Sequence, residues 1–112
     1  MDIFGEGTVD GNADRSDWWE EHKTKRGAWR PRTIFLCRCR CIRIQGVLVR
    51  NSPSWTIHPY YTDGISLYNV TIWNPPDSPN TDGFDPESCE DVLLLGCRIS
   101  VGDDCIAIKS GK

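Results

Sequence analysis

Three stretches of the chain, residues 41–49, 64–72 and 91–99, carry the same alternation of apolar and polar positions. Apolar residues coincide at Ile42, Ile65 and Val92, at Ile44, Leu67 and Leu94, at Val47, Val70 and Cys97, and at Val49, Ile72 and Ile99. Between the second and third of these columns stands Gly46, Asn69 or Gly96, residue types that tolerate a left-handed turn. The period of two predicts a pair of short strands joined by a tight bend in each copy. The offsets, 23 from Ile42 to Ile65 and 27 from Ile65 to Val92, lie in the range of a solenoid repeat. A third strand per copy follows a turn rich in Ser, Pro and Asp: Trp55-Thr56-Ile57-His58, Gly83-Phe84-Asp85 and Cys105-Ile106-Ala107-Ile108. No window carries a helical period. Three short strands per repeat predict an all-β chain wound as a parallel β-helix. A sandwich of hairpins would need two-residue hairpin turns, and few occur. Residues 12–25, with Trp18 and Trp19, are expected to form a loop or short helix interrupting an earlier coil.

Setting Ile57, Phe84 and Ile106 in one column places Asp82 and Asp104 two positions earlier on adjacent coils. Stacked strands lie about 4.8 Å apart. Carboxylates held that close repel, which raises the proton affinity of at least one of them. Asp103 adds a third acid. Consecutive strand residues face opposite sides, so Asp103 and Asp104 meet at one site only if the chain bends there, and Gly102 permits the bend. Acids also cap turns or bind calcium, but calcium would want more oxygens spaced through one loop. The register of two acidic turns on successive repeats favours acid/base hydrolysis.

At 112 residues the chain suffices for one small domain. The net charge of -3 comes from 16 acidic and 13 basic residues, mixed along most of the sequence, so no concentrated basic face for nucleic acid is expected. The basic cluster between His22 and Arg43 alternates with Cys and Ile and reads as a solvated strand edge. No run reaches the apolar length of a membrane span, and the N-terminus lacks the pattern of a signal peptide. Six cysteines are present. Cys37, Cys39 and Cys41 alternate, so one strand would set them on a common face, whereas zinc sites want ligand pairs two to four residues apart. Buried free thiols are the expectation, with no metal and no cofactor. A disulfide stays open, its partners unreadable.

Two segments also carry a resemblance. Asn-Thr-Asp-Gly-Phe-Asp-Pro-Glu-Ser-Cys at residues 80–89 and Ser-Val-Gly-Asp-Asp-Cys-Ile-Ala-Ile-Lys-Ser-Gly at residues 100–111 resemble the polygalacturonases of glycoside hydrolase family 28. Residues 51–59 and 5–11 extend the similarity over nearly the whole chain, and the wording near Trp55 and Pro79 is most similar to exo-acting members. The resemblance implies a right-handed parallel β-helix and a pectin or polygalacturonate substrate. It also implies hydrolysis of α-1,4 bonds between galacturonates with inversion. It makes Asp103 the general acid, with Asp82 and Asp104 holding and activating the water, and inversion needs acid and base about 6.5–9.5 Å apart. A secreted, extracellular or periplasmic location and a monomer are implied too. Family members carry Gly-His-Gly and Arg-x-Lys motifs after the paired aspartates, and this chain ends at Lys112 before either. The expectation is therefore a central piece of one longer catalytic domain, inactive alone, with incomplete recognition of substrate carboxylate.

Asn80, Asp85, His58 and Lys109 are candidate substrate-binding residues near these acids. His58 is as readily a hydrogen-bonded structural histidine, Asp85 a turn stabiliser or an orienting group, and Lys109 a charge-balancing partner. Trp18, Trp19, Trp55 and Trp73 could stack on sugars, but in a solenoid they more often cover coil edges. The glycosylation sequon Asn69-Val70-Thr71 falls at a coil bend, where Asn69 reads as a turn residue. Two other classes remain: a non-catalytic β-helical carbohydrate-binding or surface protein, and a pectin lyase. Lyases use calcium and an arginine base, and the paired acidic turns are not their signature.

Overall fold

A computed structural model describes residues 2–15, 19 and 31–110. Ten short strands form three parallel sheets. The first contains β1 (Asp2–Phe4), β4 (Arg40–Gln45), β7 (Asp63–Tyr68) and β9 (Glu90–Leu95), hydrogen-bonded in that order. The second contains β2 (Thr8–Asp10), β5 (Leu48–Arg50), β8 (Thr71–Trp73) and β10 (Arg98–Ser100). The third pairs β3 (Ile34–Cys37) with β6 (Ile57–Tyr60) and continues as isolated bridges from Ile57 to Phe84 and from Phe84 to Ile106. Every strand neighbour comes from the next coil, and parallel strands joined by crossovers wind right-handedly. The chain is a right-handed parallel β-helix.

The register matches the apolar columns. Ile42 pairs with Ile65 and Ile65 with Val92; Ile44 pairs with Leu67 and Leu67 with Leu94. On the second sheet Val49 pairs with Ile72 and Ile72 with Ile99. Ile42, Ile44, Val47, Val49, Ile65, Leu67, Val70 and Ile72 are buried and pack into one core with Ile57 and Phe84. Fully burying an aliphatic side chain of this size contributes about 1.5–3 kcal/mol. The last coil is less covered. Val92 is 38% exposed, and Leu94, Cys97 and Ile99 are half-buried, so the expected burial of Cys97 is not reached. The cause is positional: among the described residues nothing stacks on that side of β9 and β10.

The corners of the coil explain its shape. Gly46, Asn69 and Gly96 have φ of 79°, 53° and 67°, as their residue types suggest. Two further corners are left-handed, and apart from Gly64 and Asp91 their residue types give no such hint. Arg38, Tyr61 and Ser88 (φ 55°, 47° and 52°) form one, and Cys41, Gly64 and Asp91 (φ 54°, 71° and 54°) the other. The first pair of these corners breaks the Cys37/Cys39/Cys41 alternation, because β3 ends at Cys37 and β4 begins at Arg40. The three cysteines therefore do not share a strand face. All six thiols are free; Cys37, Cys41 and Cys105 are exposed, and Cys39, Cys89 and Cys97 half-buried, so they are not the buried apolar groups expected.

Of the segment at residues 12–25, Ala13–Arg15 forms a short 3-10 helix. Trp19 donates its indole N–H to the Ser52 carbonyl at 2.9 Å, while Trp18 and the rest of the basic stretch up to residue 30 lie outside the described residues. Among the described residues no helix is long and apolar enough to cross a membrane.

Candidate active site

The third sheet brings the acids together. Its register runs Ile34, Ile57, Phe84, Ile106, so the column two positions earlier reads Arg32, Trp55, Asp82, Asp104. Main-chain bonds hold that column: Thr56 donates to the Asp82 carbonyl at 2.8 Å, and Gly83 to the Asp104 carbonyl at 3.0 Å. Side chains then tie the two acidic turns to each other. The Thr81 hydroxyl lies 2.7 Å from the Ser78 hydroxyl and accepts the Gly102 N–H at 3.0 Å. Asn74, fully buried, donates to the Thr56 hydroxyl at 2.9 Å and accepts the Ser52 N–H at 2.8 Å. A Cβ at Gly102 would collide with the Ser78 carbonyl oxygen. The glycine is thus needed for close approach of the two turns, and a left-handed φ is not involved.

One carboxylate oxygen each of Asp82, Asp103 and Asp104 lies within 4.8 Å of the others. The bend at Gly102 does bring Asp103 and Asp104 to one site, where the Asp104 N–H also donates to the Asp103 carboxylate at 2.9 Å. Asp82 is buried and Asp103 and Asp104 are exposed. Burial raises the Asp82 pKa above its usual range, and the charges of Asp103 and Asp104 add to that, while a hydrogen bond with Asp85 and the charge of Lys109 oppose it.

The four residues expected to touch substrate divide. Asn80 is exposed, at a left-handed φ of 57°, beside the acids. Lys109 is half-buried and holds its ammonium 4.4 Å from the centre of the Trp55 ring. Asp85 is fully buried and His58 is 6% exposed, so neither presents its side chain to a surface-bound sugar. His58 Nε2 lies 2.9 Å from Glu87, and its Nδ1 is buried with no hydrogen-bond partner. Desolvation lowers the His58 pKa, outweighing Glu87, so the ring is neutral and donates Nε2–H to the carboxylate. An imidazolium would bury a second, unsatisfied N–H.

Arg32 and Glu87 complete the site without having been singled out from sequence. The Arg32 guanidinium sits 4.4 Å from the Trp55 ring and donates to the Ser54 hydroxyl at 3.0 Å. Trp55 therefore carries two cations, and covering a coil edge is only part of its role. The signal was available: Ile34 opens the Ile57/Phe84/Ile106 column, which puts Arg32 in the column of the acids, and Tyr60, Glu87 and Lys109 share the column three positions on. A concavity lined by Asp2, Arg43, Gln45, Ser66 and Tyr68 among others lies on the outer face of the first sheet and contains none of Asp82, Asp103 and Asp104. The three carboxylates could each offer one oxygen to a cation, and no metal is assigned to them.

Comparisons with known proteins agree with the parallel β-helix fold. The model of the family described as glycosyl hydrolases family 28 matches residues 1–112. A probable polygalacturonase of Vitis vinifera is 42% identical over 106 residues, covering 94% of this chain and 21% of the relative. An endo-polygalacturonase of Pectobacterium carotovorum subsp. carotovorum is 32% identical, covering 98% of this chain and 30% of the relative. Among solved structures, a polygalacturonase from Erwinia carotovora ssp. carotovora superimposes with a TM-score of 0.88 at 31% identity, over 99% of this chain and 32% of that one. A hyperthermoactive exopolygalacturonase from Thermotoga maritima gives 0.72 at 39% identity, over 90% of this chain and 22% of that one. The chain thus spans a fifth to a third of the length of these relatives, and it belongs to glycosyl hydrolases family 28.

Proposed function

We propose that the protein hydrolyses α-1,4 bonds between galacturonates in pectin. The observation that carries this reading is the meeting of Asp82, Asp103 and Asp104 within 4.8 Å from two stacked turns. Asp103, exposed to solvent, gives its proton to the leaving glycosidic oxygen. Asp82 and Asp104 hold a water and accept its proton as the oxygen attacks the anomeric carbon. Lys109 and Arg32 set positive charge beside the acids, where an anionic sugar is attracted. Asn80 is exposed at the same turn, on the solvent side of the acids. The relatives' printed names, polygalacturonase throughout, support the substrate class.

Inversion is the outcome the family resemblance implies. The alternative outcome, retention through a carboxylate nucleophile, would require acid and nucleophile carboxyl groups about 5–5.5 Å apart. Proton NMR of the first product released from polygalacturonate separates them: a β anomer means inversion and an α anomer retention. Product size in the same tube separates exo action, our reading, which releases monogalacturonate early, from endo action, which releases mixed oligomers. Asp103→Asn should lower turnover about 10²–10⁴-fold, the usual loss for a general acid. Unchanged turnover would remove Asp103 from that role, and no hydrolysis of any pectin by the full-length catalytic domain would favour a sugar-binding β-helix instead.

The same reading treats these coils as part of one longer catalytic domain, acting as a monomer outside the cell. What supports it is the small share of each relative that the chain spans, together with the apolar Val92, Ile106 and Ile108 left exposed on the last coil.

A further inference from the structure

Asp85 poses a physical problem that the hydrolytic reading does not solve. Its main chain is locked into the third sheet, where Asp85 N–H donates to the Ile57 carbonyl at 2.9 Å. Its side chain is 0% exposed. Among the described residues no N–H or O–H donor satisfies either carboxyl oxygen. A carboxylate with two empty acceptors in such a place is among the costliest groups a protein can bury. The polar group within hydrogen-bonding reach is the Asp82 carboxyl. Two carboxylates cannot hydrogen-bond to each other, because both only accept; one proton must lie between them.

We propose that Asp85 is a positioning residue which holds that proton as a neutral carboxylic acid and donates it in a hydrogen bond to Asp82. The bond fixes the Asp82 side chain and keeps it in the acceptor form that a water-activating base requires. The surroundings decide which partner keeps the proton. Asp82 faces Asp103, Asp104 and Lys109, and has an edge on solvent; Asp85 has none. The charges that reach Asp85 are Asp82 on its own turn, Lys109 from the next coil and Arg32 from two coils back, with the neutral His58 and its partner Glu87 beside it in the sheet. Burial, first, and the contact with Asp82, second, push Asp85 up to about 8, and the two cations only partly offset this. The same hydrogen bond acts in the opposite direction on Asp82. A carboxyl pair so placed shares its titration, the second proton leaving long after the first.

This inference rests on Asp82 serving as base, but its test reads the proton and not turnover. Carbon-13 NMR of the aspartate carboxyls, followed from pH 3 to 9, should show Asp85 at the protonated shift through neutral pH and losing its proton last. Asp85→Asn keeps a neutral donor toward Asp82 and should leave the Asp82 midpoint within about half a unit of the native one. Asp85→Ala removes the donor and should raise that midpoint by about one unit or more. If Asp85→Ala does not fold, the infrared band of a protonated carboxyl at pH 7, present in the native protein and absent in Asp85→Asn, gives the same answer. An ionised Asp85 at pH 6, or an Asp82 midpoint indifferent to the alanine, overturns the proposal. A protonated Asp85 in a protein that hydrolyses no pectin would leave the proposal standing and overturn only the glycosidase reading.

Discussion

Asp82 and Asp104 occupy the same column of adjacent coils, two positions before Phe84 and Ile106, yet Asp82 is 5% exposed and Asp104 lies open to solvent. The backbone that carries them is alike; what differs is how many coils flank each turn. The turn of Asp82 lies between the coil of Trp55 and the coil of Asp104, with Asp85 beneath it. The turn of Asp104 is stacked on one side among the described residues. Register alone thus converts a repeated sequence feature into two different chemical environments, one buried and one open to solvent.

The largest effect on this pairing should come from its point of closest approach. Gly102→Ala puts a methyl group against the Ser78 carbonyl and must push the two turns apart. We expect a loss of about 2–3 kcal/mol in urea unfolding, the range of an overpacked core, along with dispersal of the carboxylates. A variant of native stability would mean that the turns meet with slack.

Next comes the hydroxyl that ties them. Thr81→Val keeps the shape but leaves the Gly102 N–H without its acceptor, and the same melt should fall by about 1–3 kcal/mol. No change would show that the tie is replaceable by water.

The smallest effect separates the two acids by pH. A carboxyl whose folded pKa is raised, as that of Asp82 is, contributes stability below its ordinary value of 3.8 and loses it as pH rises through the folded value. Asparagine never ionises, so Asp82→Asn should gain in melting temperature relative to the native protein between pH 4 and 7. Asp104→Asn, at an exposed position, should stay within about 0.5 kcal/mol of native across that range. Parallel curves for the two variants would erase the contrast between the turns.

Most of this contrast was legible in the sequence up to a point. The apolar columns set the register, and the register stacked Asp82 on Asp104. What the sequence hid was of two kinds. Burial depends on neighbours from other coils, so nothing in Gly83-Phe84-Asp85 announces that Asp85 is sealed while Asn80 is open. Corners at Arg38, Tyr61, Ser88 and Cys41 adopt a conformation their residue types disfavour by about 1–2 kcal/mol each. Coil stacking imposes it, and local propensity carries no trace of it. That is why the three alternating cysteines read as one strand face and are instead divided by a corner.

The half-covered last coil has a kinetic meaning as well. In a stack where each coil hydrogen-bonds only to its neighbours, order propagates from the coils already formed, as in a zipper. The exposed edge of β9, with Val92 and Leu94 partly open, is a prepared template on which another strand of the same register can condense. Such a molecule is suited to vectorial folding, each coil docking as it leaves the ribosome. The same edge is where opening begins: its amides should exchange with solvent first, while those of β4 and β7, flanked on both sides, exchange last. The exposed acids ride on the fraying coil and the buried one on its neighbour, so the site assembles only when the growing end has passed it.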